Sequence, residues 1–148
     1  METDNATCII VTRTERARDC IHPPAVIQSV VGRCCKPRID MHYQHGPIST
    51  VAGYYAKEIL WPNAGLGPED VDITGSYDAF TFTTMLQLED YGFCKKGEGG
   101  SYVSDGTIEL GGKRPNNTSG GHLCEGYTHG MNMVIAVSYT HLTLPTKA

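Results

Sequence analysis

Apolar and β-branched residues in this chain come in short runs cut by proline, glycine and polar clusters, with two longer stretches at helical spacing. Thr7-Cys8-Ile9-Ile10-Val11, Ala25-Val26-Ile27-Gln28-Ser29-Val30-Val31 and Val71-Asp72-Ile73-Thr74 predict three strands. Residues 14–19 predict a short charged helix that Pro23-Pro24 breaks off. After a polar loop over 34–46, Pro47 suits the first turn of a helix carrying Ile48, Val51, Ala52, Tyr55 and Ile59, which Pro62 and the 65–68 cluster end. A further helix places Ala79, Phe82, Leu86 and Phe93 near one stripe, with Gly92 as its stop. Glycines dominate residues 94–121 and predict loop, with a hairpin around Ser104-Asp105-Gly106. Met131, Met133, Val134, Ile135, Ala136 and Val137 predict the start of a buried helix. Strands alternating with helices give an α/β fold class, a layered domain of a mixed sheet with packing helices.

Composition narrows the partners. A chain of 148 residues fits one domain large enough to bury a core. Its net charge of −4 and the lack of any Lys/Arg cluster argue against nucleic acid. No apolar run approaches the roughly 20 residues of a membrane span, and no signal peptide opens the sequence, so a cytoplasmic protein is expected. The six cysteines form no CxxC pair and no zinc-like spacing with histidine, so no metal is expected. The periodicity lapses after Val137. Residues 1–137 are therefore read as the domain and 138–148 as a tail foreign to it.

The densest chemistry lies in Asn117-Thr118-Ser119-Gly120-Gly121-His122-Leu123-Cys124-Glu125-Gly126-Tyr127-Thr128-His129-Gly130, directly before the last apolar run. Glycines there permit positive φ and close approach of backbone to a ligand. A glycine-rich loop feeding a helix leaves N–H groups that suit an anion or a polarised carbonyl oxygen. An ordinary turn uses the same residue types.

Several motifs in order carry a resemblance. Asp4-Asn5-Ala6-Thr7 precedes Thr14-Glu15-Arg16-Ala17-Arg18-Asp19. Then come Tyr77-Asp78-Ala79-Phe80, Leu88-Glu89-Asp90-Tyr91-Gly92-Phe93-Cys94 and Gly97-Glu98-Gly99-Gly100. Asn117-Thr118-Ser119-Gly120-Gly121 and Gly126-Tyr127-Thr128-His129-Gly130 close the series. In these the chain resembles the C-terminal portion of the thiolase superfamily, in the branch of acetyl-CoA acetyltransferases and lipid-transfer thiolases. The resemblance implies an incomplete thiolase-like half-domain, lacking the half that carries the nucleophilic cysteine in that family. It implies a coenzyme A thioester as substrate, no bound cofactor, and a homodimer in the whole protein.

The family stabilises enolate and tetrahedral oxyanions at a thioester carbonyl. It uses an Asn in an Asn-Glu-Ala-Phe motif and a His in a Gly-His-Pro motif. Here Tyr77-Asp78-Ala79-Phe80 and Gly126-Tyr127-Thr128 put tyrosine at both positions. A phenol, with a reference pKa near 10, donates a strong hydrogen bond at neutral pH and can exchange a proton with help. Tyr127, Tyr77 and His129 are thus the catalytic candidates, His129 to orient the substrate or Tyr127, and a core aromatic and a surface or satisfied core histidine are their ordinary alternatives. Asp78 either tunes Tyr77 or caps the helix that follows. Ser119, Gly120, Gly121 and Cys124 are the substrate-binding candidates of the loop. The leading expectation is an acyltransferase. A retro-aldolase working with a zinc-ribbon/OB-fold partner protein is the alternative, and a non-catalytic acyl-CoA or lipid binder the third.

Overall fold

The computed structural model describes residues 4–32, 48–124, 126 and 128–143. Two compact units divide the chain: Gln28–Thr118 forms one, and Met1–Ile27 with Ser119–Ala148 the other. In chain order the helices are α1 (Thr14–Ala17), α2 (Gly53–Ala64), a 3-10 turn (Pro68–Asp70), α3 (Thr81–Asp90), α4 (Gly99–Ser104) and α5 (Met131–Thr143). The predicted loop over 34–46, Pro47, Glu125 and Tyr127 lie outside the described residues.

In the unit Gln28–Thr118, α3 lies between α2 and α4 and packs against both. Its buried residues are Thr83, Thr84, Leu86, Leu88 and Asp90. This corrects the expected stripe. Leu86 is buried, but Phe82 is 50 % exposed, and Ala79 and Phe93 fall outside the helix. A helix flanked on two sides buries residues toward each neighbour, so one apolar stripe does not describe it. Gly92 does stop α3: at φ 93 it donates to Glu89 O (3.0 Å), while Phe93 N–H reaches Leu88 O (2.9 Å). Leu88, fully enclosed, contributes about 2–3 kcal/mol through its burial.

Helix α2 starts later than its apolar spacing predicts. Ile48 is 79 % exposed, and Val51 N–H is drawn to Asp90 Oδ2 at 2.6 Å instead of entering the helix ladder. Gly53 opens the helix where the Tyr91 ring lies so close that a Cβ would sit 2.8 Å from it. Pro62 does not end α2, as expected, but rides in its last turn. Gly65, left-handed at φ 67, makes the stop, with its N–H on Pro62 O and Leu66 N–H on Trp61 O. Trp61 then stacks edge-on against Phe93, with ring centroids 6.0 Å apart, and donates Nε1–H to Tyr91 O at 3.0 Å.

Asp90 is wholly buried. Its carboxylate accepts from Val51 N–H and, at 2.7 Å, from the Lys96 ammonium. Lys96 also reaches Ser49 O and lies 3.4 Å from Glu89. Glu89 in turn accepts Gly99 N–H at 2.9 Å, which fixes the entry of α4. The stretch read as glycine-rich loop therefore contains a helix. No hairpin forms around Ser104-Asp105-Gly106; Asp105 instead accepts Thr107 N–H at 2.8 Å in a local turn, with Gly106 at φ 83.

The expected mixed sheet is not seen among the described residues. Among the described residues the one ladder contact is an isolated parallel bridge between Thr74 and Asn116. The predicted strands over 7–11 and 25–31 have no paired neighbour among those residues. Ile10 is 93 % and Val30 74 % exposed. An apolar run marks backbone suited to a sheet, but a strand exists only where a second one supplies donors and acceptors. In the other unit α5 follows Gly130 as the sequence predicts. Among its described side chains the buried one is nevertheless polar, Asn132, whereas Val137 is 64 % exposed. The helix runs on through Thr143, past Val137, and absorbs Ser138 by turning its hydroxyl back onto Val134 O at 2.9 Å.

Candidate functional site

Tyr77 sits just past the bridged residue Thr74. Thr74 and Asn116 form the bridge, reinforced by Thr74 N–H to Pro115 O (3.0 Å) and Asn117 N–H to Thr74 O (2.9 Å). Side chains complete the stitching: Thr74 Oγ1 donates to Asn116 Oδ1 at 2.9 Å, and Asn116 Nδ2 donates to Ser76 Oγ at 3.0 Å. Asn117, in the left-handed region at φ 52, turns its own Oδ1 onto Ser76 N–H at 2.8 Å. Asparagine tolerates that backbone better than most residues and offers the acceptor as well.

From the opposite side α3 supplies Gln87. Its Oε1 accepts Tyr77 N–H at 3.0 Å, and its Nε2 donates to Tyr77 O at 2.6 Å. The second Nε2 proton goes to Thr83 O at 2.9 Å. At the start of α3, Thr83 Oγ1 accepts Phe80 N–H at 3.4 Å and donates to Phe80 O at 2.7 Å, with Tyr77 O 3.4 Å away. Tyr77 and Asp78 are both half-buried. The Asn116-Asn117 pair thus holds Thr74 and Ser76, and α3 holds the backbone of Tyr77. Sequence reading missed Gln87, since a glutamine within a helix reads as a solvated position. The Asn116-Asn117 pair ahead of the glycines was the available signal for the other side.

The remaining candidates belong to the other unit. Gly120 and Gly121 have φ 102 and 72, as their glycine identity predicts, and a Cβ on Gly120 would meet Cys124 Cβ at 3.0 Å. Cys124 is exposed, and its N–H turns back to Gly121 O at 3.3 Å. Ser119 Oγ lies 3.9 Å from Met133 Sδ, tying the loop to α5. His129, exposed and left-handed at φ 46, precedes Gly130 at φ 92, and Met131 N–H closes onto Thr128 O at 3.1 Å. The structure thus brings Gly120 to Cys124 and Ser119 to α5. Tyr127, the first catalytic candidate, lies outside the described residues.

Elsewhere in the larger unit, an open groove is lined by Tyr54, Lys57, Cys94, Lys95, Glu98 and Tyr102 among others. Burial, with help from Glu89 and Glu98, pushes the Cys94 thiol up to about 11, so it stays protonated and inert at neutral pH. Among the described residues no group of His, Cys, Asp and Glu is arranged to hold a metal ion, and no helix is long and apolar enough to cross a membrane.

Residues 43–142 match the family described as thiolase C-terminal domain-like. The chain belongs to that family. It is 41 % identical over 143 residues to a 17-hydroxy-3-oxo-4-pregnene-20-carboxyl-CoA lyase of Mycobacterium tuberculosis, covering 88 % of this chain and 34 % of the lyase. It is 30 % identical over 129 residues to an acetyl-CoA acetyltransferase of Methanocaldococcus jannaschii, covering 86 % of this chain and 33 % of the relative. Among solved structures, a chain of an Ltp2-ChsH2(DUF35) aldolase superposes with a TM-score of 0.77 at 37 % identity, over 86 % of this chain and 34 % of that one. The fold is therefore thiolase-like. The chain spans about a third of the length of these relatives.

Proposed function

We propose that this chain is the C-terminal part of a retro-aldolase that cleaves a β-hydroxy acyl-CoA thioester, with Tyr77 and Tyr127 as its proton-handling groups. The observation that carries the reading is the 41 % identity to the lyase, against 30 % to the acetyltransferase. It reverses the order expected from sequence, where acyl transfer came first. The two tyrosines agree with the reversal, because they stand where the family's acyl-transferring members keep Asn and His.

The lyase's name describes a hydroxyl on the carbon next to the one bearing the thioester. In such a substrate one group takes the hydroxyl proton, and the carbon–oxygen bond becomes a carbonyl. The carbon–carbon bond then breaks. Its electron pair forms a thioester enolate, which a second group protonates at carbon. The products are a ketone and a shortened acyl-CoA, with no net oxidation. One phenol serves as the base and the other polarises or protonates the product side. His129 orients Tyr127, Asp78 tunes Tyr77, and Ser119, Gly120, Gly121 and Cys124 form the loop that receives the thioester. A partner protein is supported by the two components named in the Ltp2-ChsH2(DUF35) aldolase. The whole enzyme is proposed as a homodimer from the family resemblance.

The test is turnover of a 17-hydroxy steroid carrying a 20-carboxyl-CoA thioester by the whole enzyme with its partner, following release of the ketone. Tyr127→Phe and Tyr77→Phe each lower kcat by about 10²-fold, the effect of losing one proton-transfer or oxyanion group. Unchanged turnover in Tyr127→Phe would remove it from the mechanism. Acyl transfer to free CoA without ketone release would restore the acyltransferase reading.

A further inference from the structure

A side chain two turns into α3, on a residue that no part of the proposed mechanism uses, holds both backbone groups of Tyr77, with Thr83 Oγ1 also 3.4 Å from Tyr77 O. Gln87 has one acceptor and two N–H donors in play, and all three face backbone: Tyr77 N–H at 3.0 Å, Tyr77 O at 2.6 Å and Thr83 O at 2.9 Å. A carboxamide that spans both the N–H and the C=O of one residue mimics a strand partner for that residue alone. Tyr77 lies just past the isolated bridge, where no neighbouring backbone among the described residues performs that task. The ordering of the preceding residue comes from elsewhere, through Asn117 Oδ1 on Ser76 N–H at 2.8 Å.

We infer that Gln87 is a positioning residue for Tyr77: its carboxamide clamps the Tyr77 backbone and so sets where the phenol stands toward the substrate. The inference deepens the proposed retro-aldol reading and rests on it for the catalytic weight of Tyr77. No shorter or singly functional side chain can replace the clamp. Glutamate keeps an acceptor for Tyr77 N–H but sets a carboxylate oxygen against Tyr77 O. Methionine keeps the length and loses every hydrogen bond.

The experiment is made on the whole enzyme with its partner, using Gln87→Met and Gln87→Glu, Tyr77→Phe and the double variant Gln87→Met/Tyr77→Phe. Hydrogen exchange of the peptide spanning 76–80 rises about tenfold or more in both Gln87 variants. Values of kcat fall about 10- to 100-fold while KM stays within about twofold, since a displaced catalytic group costs turnover more than binding. The double variant is no slower than Tyr77→Phe alone. Gln87→Glu, which retains one bond, serves as the test if Gln87→Met does not fold.

The failures separate. Unchanged exchange at 76–80 overturns the clamp whatever the kinetics. Changed exchange with full kcat, beside a slow Tyr77→Phe, overturns its role in positioning. A double variant much slower than Tyr77→Phe overturns the route through Tyr77. Full activity in Tyr77→Phe overturns the catalytic assignment of Tyr77 and, with it, this inference.

Discussion

Asp90 takes a carboxylate wholly out of solvent and surrounds it with the Val51 amide and the Lys96 ammonium. Removing Asp90 strands the Val51 amide, while Lys96, 39 % exposed, keeps Glu89 and solvent. Asp90→Ala should therefore cost about 1–3 kcal/mol and lower Tm by roughly 5 °C. A thermal unfolding curve within a degree or two of the parent would show that the pair holds nothing. Glu89 beside it adds a pH dependence. Burial raises its pKa, but the amides of Gly99 and Gly97 and the Lys96 ammonium outweigh that and leave it lowered from 4.5. A lowered carboxylate stabilises the fold above its unfolded value and loses that contribution as pH falls through the folded one. The loss is expected below about pH 4.5, and Glu89→Gln flattens that limb of the stability profile. At this scale the sequence was half legible. Tyr77 and Asp78 stand out because a motif carries them, whereas Asp90 and Gln87 look like ordinary helix-surface residues until their distant backbone partners are known.

Between α4 and the bridge, residues 106–116 form a run of turns whose closeness depends on one position. A Cβ on Gly112 would lie 2.3 Å from Gly106 O and 2.5 Å from Thr107 O, both rigid backbone. The same turns set Arg114 N–H on Thr107 O (2.9 Å) and Asn116 N–H on Ile108 O (3.0 Å). They also carry the buried Arg114 guanidinium to Val71 O (2.7 Å) and over the Phe93 ring. Gly112→Ala should destabilise by about 1–3 kcal/mol, while Gly100→Ala, with open space around it in α4, should be neutral or gain about 0.5–1 kcal/mol. Equal unfolding midpoints for the two variants would refute the crowding argument. Elements with local causes were legible: α3 ends at Gly92 and α5 begins after Gly130 as their residue types require. Helix α4 was hidden because Glu89, from the preceding helix, fixes its entry. Which of the predicted strands would find a partner was not legible, because pairing joins residues far apart, as Thr74 and Asn116 do here.

For the whole molecule the surface is the telling feature. Ile10, Ile21, Val30, Ile48 and Leu110 are each more than 70 % exposed, in a protein whose buried apolar residues include only Ala17, Ala56, Leu86 and Leu88 among those described. Extended apolar segments with open edges invite association. The isolated chain is expected to aggregate or bind the apolar dye ANS strongly, and joining it to the remaining length of its relatives should abolish both. A soluble monomer with no dye response would count against that reading.

The clamp on Tyr77 has one more consequence. Its N–H and C=O are both engaged by Gln87, so in the proposed mechanism the ring is the part of this residue offered to a substrate. The scaffold around it is a socket, and the ring is the fitting. A single codon change at position 77 can then exchange the reactive group while the surrounding backbone stays where its neighbours hold it. A family that carries asparagine there for one chemistry and tyrosine for another would need no new fold to move between them.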